Sequence, residues 1–150
     1  MPGKKSKPHR RHLLDANALL ALAWPNHPFH LKARDWFAES SPLGWSTCSL
    51  TEAAFVRLSA NRTVVLSPCR PLDCFLLLEA MKLHGRYSFL SDAKLRSEHL
   101  RKVLARCHGH QQVNDAFLLA LSELHNAQLV TFDKRLTALA SRPGAVLVLA

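Results

Sequence analysis

The stretch 113–133, VNDAFLLALSELHNAQLVTFD, constrains the fold more than any other part of the chain. Asn114 can cap a helix, because its short amide accepts a bond from a free backbone N–H of the first turn. Asp115 then sits in that turn, where the helix dipole favours a carboxylate. Phe117, Leu118, Leu121 and Leu124 fall at helical spacing in a run so apolar that the helix should be buried on most sides. His125 and Asn126 end it. Gln128–Thr131 is a short apolar, β-branched run that reads as a buried strand, and Asp133 lies just past it. Packing the helix antiparallel to the strand brings Asp115 and Asp133 to one edge of the domain, where open parallel sheets place their ligands. The plainer alternative is a first-turn Asp and an ordinary surface Asp; the rest of the chain decides.

The same grammar repeats upstream. Residues 12–15 form a short strand, and 17–24 a helix stopped by Pro25. A second helix runs over 28–40, with Pro28 in its first turn. Phe29, Ala33, Trp36 and Phe37 form its apolar stripe, opposite Lys32, Arg34, Asp35 and Glu39. Residues 44–48 make the next strand, and Ser49 opens a helix with Leu50, Ala53, Ala54 and Leu58 inward. Residues 61–71 are a loop, 72–84 a helix ended by Gly85, and 87–90 a strand. Ser91 or Asp92 caps a helix carrying Leu95, His99, Val103 and Leu104. A polar loop over 106–112 leads into the stretch described first. After Asp133 come a short helix to about Ala140, the Pro143-Gly144 turn and a last strand over 145–149, whose unbroken apolar run predicts burial on both faces. Strands alternating with helices predict an α/β domain, a mostly parallel sheet of about five strands between helical layers.

One hundred and fifty residues suit one domain, assigned to 13–150, behind a basic, unstructured tail over 1–12. The formal charge is +9, and five basic residues (Lys4, Lys5, Lys7, Arg10 and Arg11) precede residue 12; the remainder is still basic. Such an excess attracts polyanions, nucleic acid above all. Cys48, Cys69, Cys74 and Cys107 include no CxxC pair and read as reduced thiols of a cytoplasmic protein. Cys107, His108 and His110 lack a fourth ligand at zinc spacing. A basic start followed by LLDANALLALA resembles an export signal, but Asp15 and Asn17 interrupt its apolar core. No stretch approaches the ~20 apolar residues of a membrane span.

The strand-end position recurs in the acids. Asp15 ends the first strand, Glu52 follows the second in the first turn of a helix, and Asp115 and Asp133 are already placed. Four of the eleven acids thus fall at one expected edge. Two carboxylates ~5 Å apart repel by about 3 kcal/mol at an effective dielectric of 20, so a cluster of four calls for a cation. Hard oxygen ligands select Mg²⁺ or Mn²⁺, whose bound water can become a nucleophile toward a phosphodiester. Each acid has a plainer role as well: Ser49-x-x-Glu52 is a capping-box pattern. Asp15 has the weakest one, because a carboxylate ending a buried strand is costly unless paired or metal-bound. Asn17 is either a hydrogen-bond partner of the acids or a helix cap, and Thr131 either orients a carboxylate or simply favours the strand.

LLDANALLAL, LTEAAFVRL and NDAFLLALSELHNAQLVTFDKRL together resemble the PIN domain, and more narrowly the VapC toxins of bacterial toxin–antitoxin pairs. The resemblance covers about 13–149. It implies a three-layer PIN-like fold and a Mg²⁺- or Mn²⁺-dependent endoribonuclease that cuts cellular RNA such as tRNA or rRNA and arrests translation. Carried over by position, the catalytic quartet is Asp15, Glu52, Asp115 and Asp133, with Asp15 and Asp115 nearest the metal; Asn17 and Thr131 are the candidates to support them from the residue reading above. It also implies a homodimer and a small VapB-like antitoxin, with no membrane. Two other readings compete. A haloacid-dehalogenase-like phosphatase also opens on a strand-end Asp, but wants a second Asp where Asn17 stands. A non-catalytic RNA-binding protein would keep the basic face and use the acids structurally.

Overall fold

The computed structural model describes residues 11–65 and 69–150. Five parallel strands form its sheet: β1 (His12–Leu14), β2 (Trp45–Thr47), β3 (Tyr87–Phe89), β4 (Gln128–Thr131) and β5 (Val146–Val148). Their order is β3-β2-β1-β4-β5, so the chain builds outward from β1 to one side, then returns to build on the other. Six helices connect them: α1 (Ala16–Ala23), α2 (His30–Ser40), α3 (Ser49–Ser59), α4 (Pro71–Met81), α5 (Ser97–Leu104) and α6 (Val113–Leu124).

Alternation along each strand divides the core in two. Leu13 and Leu129 face one side and pack with Val103, Ala116, Leu119 and Leu136, under α5 and α6. Leu14 and Val130 face the other and pack with Leu19, Ala33, Trp45, Phe55 and Leu78, under α1 to α4. The strands are only three or four residues long, so the two cores hold the sheet more than its own ladder does.

Several local details differ from the sequence reading. β5 is half-buried rather than buried on both faces, because it is the edge strand and has a neighbour only in β4. The helix α5 begins at Ser97; the stretch after Ser91 is turned, with Leu95 N–H donating to the Asp92 carbonyl at 2.8 Å. Pro28 precedes α2 rather than lying in its first turn. Asn114 does not cap α6, which starts one residue earlier and has Gln112 at the cap position. Nor does Glu52 close a capping box with Ser49: Cys48 is the cap, and its N–H donates to the Thr51 hydroxyl at 3.1 Å. The basic stretch before residue 11 lies outside the described residues. His12 opens β1, as its place in the strand 12–15 predicts, and Arg11 before it also meets the sheet: Gln128 N–H donates to the Arg11 carbonyl at 2.8 Å. All four cysteines are free thiols, and among the described residues no helix is long and apolar enough to cross a membrane.

The turn into β3 depends on Gly85. Its φ is +65°, and an added Cβ would lie 2.6 Å from Ser41 Cβ and 2.9 Å from the Ser41 carbonyl oxygen. That carbonyl accepts Arg86 N–H at 2.8 Å, which fixes the approach of β3 to β2. Gly85→Ala should therefore destabilise the fold by about 2 kcal/mol or more, read as a lower urea midpoint; an unchanged midpoint would contradict this close approach.

Candidate active site

The strand order reverses at β1, which has β2 on one side and β4 on the other. A crevice opens beyond the carboxyl ends of strands at such a point. Asp15 follows the last residue of β1, and Asp133 lies two residues past β4. Asp115 lies in the first turn of α6, which runs back along the sheet into β4. Asp15, Asp115 and Asp133 line one cavity of about 310 Å³, together with Asn17, Thr51, Arg57 and Thr131. A neighbouring cavity of about 390 Å³ shares Asp115 and Asp133 and continues past His108, His110 and Arg135.

The three acids differ in how their charge is met. Asp15 is only 8% exposed. It caps α1, its Oδ1 accepting Ala18 N–H at 2.8 Å. Burial pushes its carboxyl up to about 6. The Thr131 hydroxyl and Ala18 N–H oppose that rise, while the charges of Asp115 and Asp133 add to it. Asp115 is raised too, first by burial and then by Asp133, with Arg135 pulling the other way. Asp133 is lowered, because Arg135 binds it through two side-chain nitrogens at 3.1 and 3.0 Å. Thr131 connects the pieces: its hydroxyl oxygen accepts Asp133 N–H at 3.0 Å and lies beside the Asp15 carboxylate.

Glu52 is not brought to this group. Leu50, Thr51, Ala54, Arg57 and Leu58 put one face of α3 on the cleft, whereas Glu52 turns toward α4. There Lys82 Nζ donates to it at 2.8 Å and the Thr47 hydroxyl donates to it at 2.8 Å. Burial opposes the charge on Lys82, but its hydrogen bonds to Glu52 and Glu79 outweigh that and hold the ammonium above its ordinary range. Asn17 does not cap α1, a place Asp15 takes; its amide oxygen meets His27 Nε2 at 3.1 Å at the rim of the cleft.

Metal-binding chemistry follows from this division. Among the described residues, no three His, Cys, Asp or Glu side chains stand ready to enclose an ion. Arg135 holds Asp133 and Lys82 holds Glu52, which leaves Asp15 and Asp115 as the acids of the quartet with no direct cationic partner among the described residues. One or two carboxylates plus water and substrate oxygens is the donor set that suits Mg²⁺. The zinc set does not form either, as Cys107 Sγ is directed at the carbonyls of Val103 and Gln112.

Two cationic residues that hold acids of the quartet escaped the sequence reading. Arg135 was signalled only by lying two positions after Asp133, the reach of a side chain over a turn. Lys82 gave no signal, being thirty residues from Glu52. Arg57 carries no local signal that separates it from the chain's other basic residues, and only the fold singles it out.

Residues 12–141 match the PIN domain family model. Among curated proteins, ribonuclease VapC38 of Mycobacterium tuberculosis is 41% identical over 131 residues, which span 87% of this chain and 90% of that protein. Ribonuclease VapC39 of the same organism is 39% identical, over 86% of this chain and 93% of its own length. The crystal structure of M. tuberculosis VapC20, described as a Sarcin-Ricin loop cleaving toxin, superposes with a TM-score of 0.61. It covers 85% of this chain and 93% of its own at 17% identity, a likeness of fold. The chain belongs to the PIN domain family, among the VapC ribonucleases.

Proposed function

We propose that this protein is the toxin of a toxin–antitoxin pair, an endoribonuclease that hydrolyses phosphodiester bonds of cellular RNA with the help of Mg²⁺ or Mn²⁺. The observation that carries the reading is the pair Asp15 and Asp115, two carboxylates without a cationic partner among the described residues, in a cleft of a basic protein. They would hold the ion. Bound there, a divalent cation supplies an activated water and screens the charge of the scissile phosphate.

The remaining residues have roles of their own. Asp133 is catalytic in this reading: it borders both cavities and borrows Arg135 until substrate or metal competes for it. Thr131 aligns Asp15 with Asp133. Arg57 has no hydrogen-bond or ion-pair partner among the described residues and faces the acids across the cleft, so its guanidinium is free to take a phosphate oxygen. Glu52 we assign to holding α3 against α4 through Lys82, outside the reacting group. Asn17 steadies the rim. The protein acts in the cytoplasm, and a small VapB-like antitoxin restrains it. The exposed Leu72, Phe75 and Leu76 of α4 offer apolar surface for a second copy in a homodimer.

Purified protein freed of partner, incubated with labelled tRNA and rRNA, should cut in Mg²⁺ or Mn²⁺ and not in EDTA. Asp115→Asn should lose more activity than the about 10–100-fold that removal of a supporting residue costs. RNA bound but uncut in every metal would overturn the nuclease in favour of a binding protein.

The same site makes a statement about stability. In the metal-free fold burial pushes the Asp15 carboxyl up to about 6, from 3.8 for an ordinary aspartate. Its contribution is therefore fully present below pH ~4 and is lost as pH rises through about 6, because the folded state then carries a buried charge the unfolded chain does not. Asp15→Asn keeps a good helix cap. It should raise metal-free stability at pH 8 by up to about 3 kcal/mol, and should change little at pH 4. A variant less stable than the parent at pH 8 would contradict the assigned burial.

A further inference from the structure

Beside the acidic cleft lies an aromatic cluster that the hydrolytic chemistry does not use. Phe29, in the turn between α1 and α2, stacks on Phe132 with ring centroids 4.7 Å apart and planes within 7°. His27 tilts against both rings, at 6.1 and 6.3 Å. Phe132 is buried, but Phe29 is 38% exposed. A ring stacked on one side and open on the other keeps apolar surface in water that a core residue would bury.

The cluster is joined to the site on both sides. Phe132 lies between Thr131 and Asp133. Phe132 packs in the same core as Val130, on the side of the sheet that Thr131 at the end of β4 does not face, so the ring and the Thr131–Asp133 pair lie on opposite sides of the end of β4. His27 reaches the other rim through Asn17, which lines the acid cavity. The histidine is held in one form. Its Nδ1 accepts Phe29 N–H at 3.1 Å, so Nε2 carries the proton and donates to the Asn17 amide oxygen. Burial, and then the neighbouring His30, keep its pKa below the ordinary value, so the ring is neutral at physiological pH. Arg57 and Arg135 flank the acids and supply positive charge for a polyanion.

We propose that Phe29, backed by Phe132 and edged by His27, is a stacking ledge for one unpaired base of the RNA whose phosphate enters the acidic cleft. The inference rests on the nuclease reading and adds to it a residue that positions the substrate. A strand crossing the end of β4 would leave its phosphate on the Asp133 side and an adjacent base on the Phe132 side. Only an unpaired base can splay out in this way, which selects single-stranded loops over duplex. Aromatic stacking accepts any base, so the ledge sets the form of the substrate more than its sequence.

The test is binding in EDTA, followed by fluorescence anisotropy, with a labelled oligo(rA) and the same backbone carrying abasic sites. The parent protein should favour the intact oligonucleotide by about tenfold. Phe29→Leu retains an apolar side chain against Phe132 and should bind both probes equally, at the abasic level; Phe29→Tyr should restore the preference. A parent protein without the preference, or a Phe29→Leu variant that keeps it, overturns the ledge. The readout needs no cleavage, so the two readings fail separately. A protein that cuts RNA while Phe29→Leu keeps the preference loses only the ledge, and one that shows the preference but cuts nothing loses only the nuclease.

Discussion

A carboxylate buried where the sheet changes direction is the constraint the site depends on. Asp15 cannot move away from its place: it ends β1, the central strand, and its side chain caps α1. The two charges that bear on it most, Asp115 on α6 and Asp133 past β4, are also negative. Hydrogen bonds from Thr131 and Ala18 soften the cost without removing it. A fold that only needed a helix cap would have used Ser or Asn at this position without the charge. The protein instead keeps a charge that is unfavourable until something cationic arrives.

Two of the four strand-end acids already have that cation inside the chain. Lys82 neutralises Glu52 in a half-buried network with Thr47 and Glu79, and Arg135 clasps Asp133 at the surface. The difference in burial matters. Lys82 is 15% exposed and its pairing ties α4 to α3, so it belongs to the architecture. Arg135 is 83% exposed, where an ion pair is worth little and is readily exchanged. The electrostatics therefore divide the acids into one that is structural, one that is loosely held and two that are open.

Much of this was legible in the sequence because it depends on short-range pattern. The αβ alternation gave all five strands and the parallel sheet, and the position of Asp15, Asp115 and Asp133 at element ends gave their shared edge. What failed was decided by partners distant along the chain. Glu52 looks the same as the other three by position, and only the azimuth of α3, set by Phe55 and Thr51 packing inward, turns it to Lys82. The apolar run of β5 could not reveal that it would be the last strand of the sheet. The Phe29–Phe132 stack joins residues about a hundred positions apart and had no local signature beyond an apolar stripe, to which Phe29 was assigned. Asn114 and Ser49 were read as caps because their side chains suit the role, but Gln112 and Cys48 hold the cap positions of α6 and α3.

The account stands on Asp15 and Asp115 needing a divalent cation, and calorimetric titration of Mn²⁺ into the metal-free protein, without RNA, measures that need directly. Binding should be present at pH 7.5, weaken below about pH 6 as Asp15 takes up its proton, vanish in Asp15→Asn and survive in Glu52→Gln. Mn²⁺ binding that persists in Asp15→Asn, or that is lost in Glu52→Gln while the fold is intact, would contradict it.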